Sequence, residues 1–414
     1  MTGPAPQESM HPAIARWQGA DGEILIGGRT LRQVARAAGR TPFYAYDRAR
    51  ISARVAELRA ALPDDLRLHY AIKANPMPEV IAHLAPLVDG VDVASAGELA
   101  RALEAGLDPA EMGFAGPGKT DDELAAAAAA GVLIELESEG EMRRLAAIAA
   151  ERRLRPRVAV RVNPDFRLKG SGMHMGGGPS QFGVDAEAVP ALLHSLAGLP
   201  LAFEGFHIFG GSQNLSADAL LTAEREIAAL AIRLAAAAPA PVRHVNIGGG
   251  FGIPYFPKDR PLDLAAVGAG LADIVRDIKA ALPEARVILE LGRYIVGEAG
   301  LYVCRVIDRK VSRGQVFLVT DGGLHHHLAA TGNFGQAIRR NYPVAIGTRF
   351  GAPAEKTVNV VGCLCTPIDL LADRMPLPRA EVGDLVVVFQ SGAYGLSASP
   401  TAFLGHPPPG EILL

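Results

Sequence analysis

Lys73 ends the apolar run LHYAIKAN (Leu68–Asn75), where a strand would be buried. Burial disfavours the ammonium, lowers a lysine pKa and frees the amine as a nucleophile able to form a Schiff base. Gly248, Gly249 and Gly250 end the run HVNIGGG (His244–Gly250). Without Cβ atoms, their N–H groups can approach a phosphate. The bland alternatives are a surface lysine and a tight turn. Other apolar runs deliver Asp92, Ser95, Arg161, Asn163, His207, Phe209, Glu290 and Arg293 to their ends, with Ser212 just beyond. Brought to one place, these residues would make an amine nucleophile, an anion cradle, two acids and an arginine.

Such convergence needs strands that end side by side. Eight short apolar segments qualify: Leu68–Asn75, Gly90–Ser95, Met112–Gly116, Val132–Ser138, Val158–Pro164, Phe203–Gly210, His244–Gly250 and Val287–Arg293. The first four recur about every 20 residues, the spacing of a minimal βα unit. Their near-continuous apolar character suits strands buried on both faces. Between them, TDDELAAAAAAG carries a capping threonine (Thr120), first-turn acids and a stop at Gly131. ASAGELARALEAG stops at Gly106 in the same way. The pattern predicts an α/β fold, a (β/α)8 TIM barrel with its chemistry at the C-terminal ends of the strands.

After Gly300 the chain turns to β-branched runs: LYVCRVIDRKV, QVFLVTDGG, TVNVVGCLC and DLVVVFQSGAY. These predict a C-terminal, mostly antiparallel β domain. The strand-like stretch ILIGG…TPFYAYD near the N-terminus is expected to pair into it. The expected division is an N-terminal segment at 1–47 joining the β domain, a coenzyme-binding barrel at 48–293 and the C-terminal β domain at 294–414.

Composition removes other classes. In 414 residues, 49% are apolar and 21% charged, which is globular rather than disordered. A net charge of −3 offers no bulk basic field for nucleic acid or an anionic membrane. No apolar run reaches the roughly 18 residues of a membrane span. The opening MTGPAPQESMHPAIARW lacks a basic start and apolar core, so no secretory signal is read. Three cysteines (Cys304, Cys363, Cys365) make no disulfide framework, and a cytoplasmic location is expected.

The lysine and the cradle together point to pyridoxal 5'-phosphate as cofactor; no G-x-x-x-x-G-K-[ST] is present for a nucleotide triphosphate. Glu290 then gains a meaning. A carboxylate beside the pyridine nitrogen keeps it protonated and makes the ring a deep electron sink. A plain ion pair of Glu290 with Arg293 is the alternative, and the two are compatible.

The motifs YAIKAN, HVNIGGGFG, ELGRY, GCLCTPIDLL and SGAYGLSASP resemble the fold-type III pyridoxal phosphate decarboxylases, in order from about Thr41 to the C-terminus. That superfamily includes the diaminopimelate, ornithine and arginine decarboxylases. FAGPGK, GSGMHMGGGPSQFG, GSQNL, GGGFGIPYF, DGGLHHHLAATGNFGQAIRRNYPV and LCTPIDLL resemble two narrower groups. One accompanies exosortase systems; the other is the butirosin-pathway enzyme acting on a glutamyl group held by an acyl-carrier protein. The resemblance implies that Lys73 forms the Schiff base and Glu290 faces the pyridine nitrogen. It implies that Ser212, Gly249, Gly250, Arg293 and Tyr394 hold the phosphate, and that Asp92 supports lysine and ring. Cys365 matches the cysteine that reprotonates the product from the neighbouring subunit, which implies a homodimer with shared sites.

The departures bear on substrate. Phe209 stands where the family stacks a histidine on the ring, leaving His207 as a further cofactor-contact candidate. After Cys365 come Thr366 and Pro367, where relatives carry acids that hold a charged distal group. Arg339 and Arg340, with Thr366 and Asp369, are substrate candidates. They favour a carrier-tethered, glutamyl-like aminoacyl group over free diaminopimelate or ornithine. The loop Met173–Gly178 is read as a lid, a carrier-binding loop or plain surface.

No metal site is expected. His325, His326 and His327 are adjacent and should not converge on one ion, and Cys363 and Cys365 lack zinc spacing. On a strand these two cysteines would point the same way, with Cys363 as packing; Cys304 reads as core. The expected reaction is removal of an α-carboxylate. A racemase on the same barrel would carry arginine rather than Glu290 at the ring nitrogen, and a non-catalytic binder would have no reason to keep Lys73, Glu290, Arg293, Cys365 and Tyr394 together.

Overall fold

The computed structural model describes residues 11–166, 173–174, 177–334, 336 and 339–414. The chain forms two compact units. One comprises Ile51–Ile253 and Pro261–Val296; the other comprises residues up to Arg50, Pro254–Arg260 and Gly297–Leu414.

The first unit is a closed parallel barrel. Its strands, in chain order, are Leu66–Ala71, Gly90–Val93, Met112–Phe114, Leu133–Leu136, Arg157–Asn163, Ala202–Ile208, His244–Gly249 and Arg286–Leu291. Each pairs with its neighbour in sequence, and the eighth returns to the first through Glu290 opposite His69. All eight apolar segments read from the sequence are these strands. The connecting helices carry the expected punctuation. Thr120 and Glu123 form a reciprocal capping box on Asp121–Ala130, and Gly131 stops that helix at φ +82°. Ser95 caps Ala96–Glu104 by accepting from the Glu98 N–H.

The second unit is a mostly antiparallel sheet. Its order runs Val344–Ile346, Leu385–Val388, Gly300–Ser312, Gln315–Thr320, Lys356–Val361, Leu370–Leu377. The pairing of Gln315–Thr320 with Lys356–Val361 is parallel. Phe43–Tyr46 lies antiparallel to Gly300–Ser312 and parallel to Gly410–Leu413, so the two ends of the chain share one sheet. The ILIGG segment does not join that sheet: Leu25–Ile26 makes its own small hairpin with Arg29–Thr30. Gly27 and Gly28 turn it with φ +55° and +74°, and this local turn sets the pairing. Trp17, Ile24 and Phe43 pack with Leu301, Val303, Val387 and Phe389 in this unit's core.

Candidate active site

Interior layers of a (β/α)8 barrel take four side chains from alternate strands, usually branched aliphatics. Here the second, fourth, sixth and eighth strands supply Asp92, Glu135, His207 and Glu290, all buried. Space for them comes from the third strand, where a Cβ on Gly113 would stand 2.5 Å from Asp92 Oδ1 and 3.2 Å from Glu135 Oε1. His207 Nδ1 lies against Glu135, and its Nε2 is 3.5 Å from Glu290 Oε2. The other Glu290 oxygen is 3.2 Å from Lys73 Nζ. Asp92 faces His69 Nδ1 at 3.3 Å.

The electrostatics follow from this layout. Burial alone would raise Glu290, yet the Lys73 ammonium and His207 hold it well below the usual carboxylate range. Burial would lower His207, but Glu135 and Glu290 drive it up to about 9, so it is a cation at neutral pH. Burial lifts Asp92 to about 6 despite the opposing charge of His69. The layer thus alternates in sign, Glu135–His207–Glu290–Lys73, and ends on an ionised carboxylate facing the lysine.

Lys73 departs from expectation. It sits in the turn Ile72–Ala74 just after the first strand, and its side chain is 44% exposed. The strand ends at Ala71, so the lysine side chain is only partly buried, and its ammonium meets Glu290. Phe209 lies just past the sixth strand with Lys73 Nζ 5.8 Å from its ring centre. A Cβ on Gly248 would stand 2.8 Å from the Phe209 ring, and one on Gly249 2.3 Å from the Glu290 carbonyl oxygen. Gly250, at φ +77°, packs 2.3 Å (as a Cβ) from the Gly211 carbonyl, which seats Ser212 beside the glycine run. Arg293 opens the short helix Arg293–Val296, and a Cβ on the preceding Gly292 would meet Ala74 and Ala71 beside the lysine turn. Met173–His174 pairs with Gly211–Ser212; Met175 and Gly176 lie outside the described residues.

The β unit groups the remaining candidates. Cys363, Cys365 and Thr366 lie in a bend after Lys356–Val361, not on a strand, so the expected common direction of the two cysteines does not apply. Cys365 is exposed. Asp369 is buried and accepts from Leu324 N at 2.6 Å and Leu364 N at 2.9 Å, which fixes the cysteine bend. Arg339 donates to the carbonyls of Thr331 at 3.0 Å and Leu370 at 2.5 Å, and Arg340 covers the Phe256 ring at 3.7 Å. Tyr394 adopts φ +53°, with its ring 6.2 Å from Phe334.

Sequence reading missed His69 and Glu135. The signal was present: an ionisable side chain inside an apolar strand, as in VLIELES, is rarely buried unless paired. Glu137, just past the same strand, binds Arg161 at 2.7 Å, which accounts for that arginine.

These features define a class: a barrel enzyme site fitted to a ring with a protonatable nitrogen and to a phosphate. The glycine run that added Cβ atoms would obstruct, the aromatic face and the ionised buried acid all fit pyridoxal phosphate. A family model described as "Pyridoxal-dependent decarboxylase, pyridoxal binding domain" matches residues 48–297. The chain is 38% identical over 90% of its length to an L-glutamyl-[BtrI acyl-carrier protein] decarboxylase of Niallia circulans, covering 88% of that protein. It is 32% identical to a diaminopimelate decarboxylase of Aquifex aeolicus, over 92% and 88% of the two chains. A solved diaminopimelate decarboxylase of Helicobacter pylori in complex with L-lysine superposes with a TM-score of 0.82 at 26% identity, over 92% and 94% of the two chains. The chain belongs to the pyridoxal-dependent decarboxylases, and it is a lyase whose cofactor is pyridoxal phosphate.

Proposed function

We propose that the chain removes the α-carboxylate of a glutamyl-like aminoacyl group tethered to a carrier protein. The observation that carries the choice of substrate is the bend after Cys365. Its next residues, Thr366, Pro367 and Ile368, bear no charge, and Ile368 is 54% exposed. The nearest acid, Asp369, has its carboxylate occupied by two backbone N–H groups. A free diamino acid would bring a distal ammonium to a bend that offers it no unoccupied carboxylate. The 38% identity to a carrier-protein decarboxylase supports the same reading.

Pyridoxal phosphate, when bound, supplies the electron sink for cleavage at Cα. Lys73 would hold the coenzyme covalently and, as an amine, release product. Glu290, ionised by Lys73 and His207, would hold a proton at the ring nitrogen. His207, itself held cationic by Glu135, keeps Glu290 charged and oriented. Phe209 would cover one ring face. Ser212, Gly249, Gly250, Arg293 and Tyr394 would bind the phosphate, and Asp92 would back the layer. Cys365 would deliver a proton to Cα after the carboxylate leaves, acting in the site of a second copy in a homodimer. Three free cysteines suit a reducing, cytoplasmic compartment. Among the described residues no helix is long and apolar enough to cross a membrane.

Carbon dioxide release tests the substrate. Glutamyl-carrier-protein thioester should turn over, while free L-glutamate, diaminopimelate, ornithine and lysine should not. Turnover of free diaminopimelate at a comparable kcat/KM would replace this reading with the runner-up, a free-amino-acid decarboxylase.

A further inference from the structure

Three adjacent histidines part company in the β unit. His326 Nδ1 is 3.3 Å from Tyr302 Oη, and its Nε2 is 3.1 Å from the Pro407 carbonyl. His327 Nε2 is 2.9 Å from Ser391 Oγ. His325 is fully buried, and neither ring nitrogen has a hydrogen-bond partner. A buried imidazole without partners is costly. Beside it stand His326, ring centre 3.6 Å away, His406, ring centre 5.1 Å away, and Cys363. Cys363 Sγ stands 3.8 Å from His406 Nε2. One ligand atom from each of the three lies within 4.8 Å of the others.

The loops that carry these residues are fixed. Asp369 binds the backbone N–H of Leu324, beside His325, and that of Leu364, beside Cys363. The carbonyls of Pro407 and Pro408, after His406, are held by His326 and Arg40. One thiol and two imidazoles form a borderline-soft donor set. Bonds of about 2.3 Å to sulfur and about 2.0 Å to nitrogen in a tetrahedron put donors roughly 3.5 Å apart. The Cys363–His406 pair already approaches that spacing, and His325 needs a movement of about 1 Å.

We propose that His325, Cys363 and His406 bind one zinc ion, with water from the partly exposed Cys363–His406 side as fourth ligand. On binding, the Cys363 thiol proton passes to solvent and a Zn–S bond forms, with no change of oxidation state. The ion would join three loops of the β unit, one of which carries Cys365 two residues on.

The test uses chelator-treated holoenzyme reloaded with Zn²⁺ and passed over a desalting column. About one zinc per chain should remain. X-ray absorption should show one sulfur at about 2.3 Å and nitrogen at about 2.0 Å. Cys363→Ser should remove the sulfur shell, whereas Cys365→Ser should leave it. His406→Ala, at the exposed side and so tolerant of substitution, should weaken retention at least about tenfold, and His325→Ala likewise. No retained zinc, a shell of oxygen and nitrogen alone, or a sulfur shell that survives Cys363→Ser would overturn the proposal.

Discussion

Lys73 Nζ stands 3.2 Å from Glu290 Oε1, across 217 residues of chain. Two cations share that carboxylate, since His207 approaches its other oxygen. A neutral isostere keeps the shape and removes the charge. Glu290→Gln should therefore lower kcat by about 10²–10³-fold, the usual scale for loss of one preorganised electrostatic group. Coenzyme content should stay near that of the parent. Unchanged kcat at full coenzyme loading would remove Glu290 from its assigned role.

The His207–Glu135 contact predicts a stability window in the coenzyme-free protein. An unfolded histidine titrates near 6.5, and His207 in the fold titrates near 9. The folded state therefore holds the proton more tightly. Its stabilisation is complete below about pH 6.5 and is lost as pH rises through about 9. Melting temperature should decline across that interval, and Glu135→Gln should flatten the decline. A parent and a variant with parallel profiles would refute the assignment.

Asp369 predicts a stability effect rather than a chemical one. Its two backbone partners, Leu324 and Leu364, are both buried. Asp369→Ala strands both N–H groups, each at about 1–3 kcal/mol, so denaturant unfolding should show a loss of roughly 2–6 kcal/mol. Asp369→Asn, which keeps one acceptor oxygen, should lose less. An alanine variant as stable as the parent would show that the bend does not depend on this carboxylate.

Cys365 is assigned to proton delivery in a second copy's site. Cys365→Ala should shift product toward the aldehyde or ketone of misplaced protonation, read by mass spectrometry of the products. Mixing Lys73→Ala with Cys365→Ala subunits should restore about a quarter of the parental yield of correctly protonated amine, because in the proposed two-fold dimer half the pairs are mixed and each mixed pair has one intact site. An unchanged product spectrum, or mixtures that exchange subunits yet regain no correctly protonated amine, would count against the assignment.

The barrel was legible because its strands are short, near-continuous apolar runs at βα spacing and its helices carry caps such as Thr120 and Gly131. Lys73 and the Gly248–Gly250 run were legible because they end such runs. Glu135 was not, because its meaning depends on His207, 72 positions away by their numbering and joined only by barrel closure. The His325–Cys363–His406 grouping was hidden for the same reason: Asp369 ties the loops of His325 and Cys363 while His326 and Arg40 hold the segment after His406, contacts no local spacing encodes. The exposure of Lys73 was misjudged because the strand ends two residues earlier than the apolar run implies.

The central claim is that residue 73 carries the coenzyme opposite an ionised Glu290. Borohydride reduction of the purified holoenzyme, followed by peptide mass spectrometry, tests it most directly. A pyridoxyl-phosphate adduct on Lys73, and no such adduct in Lys73→Ala, is the predicted result. An adduct on another lysine such as Lys119, or none in a coenzyme-saturated protein, would contradict it.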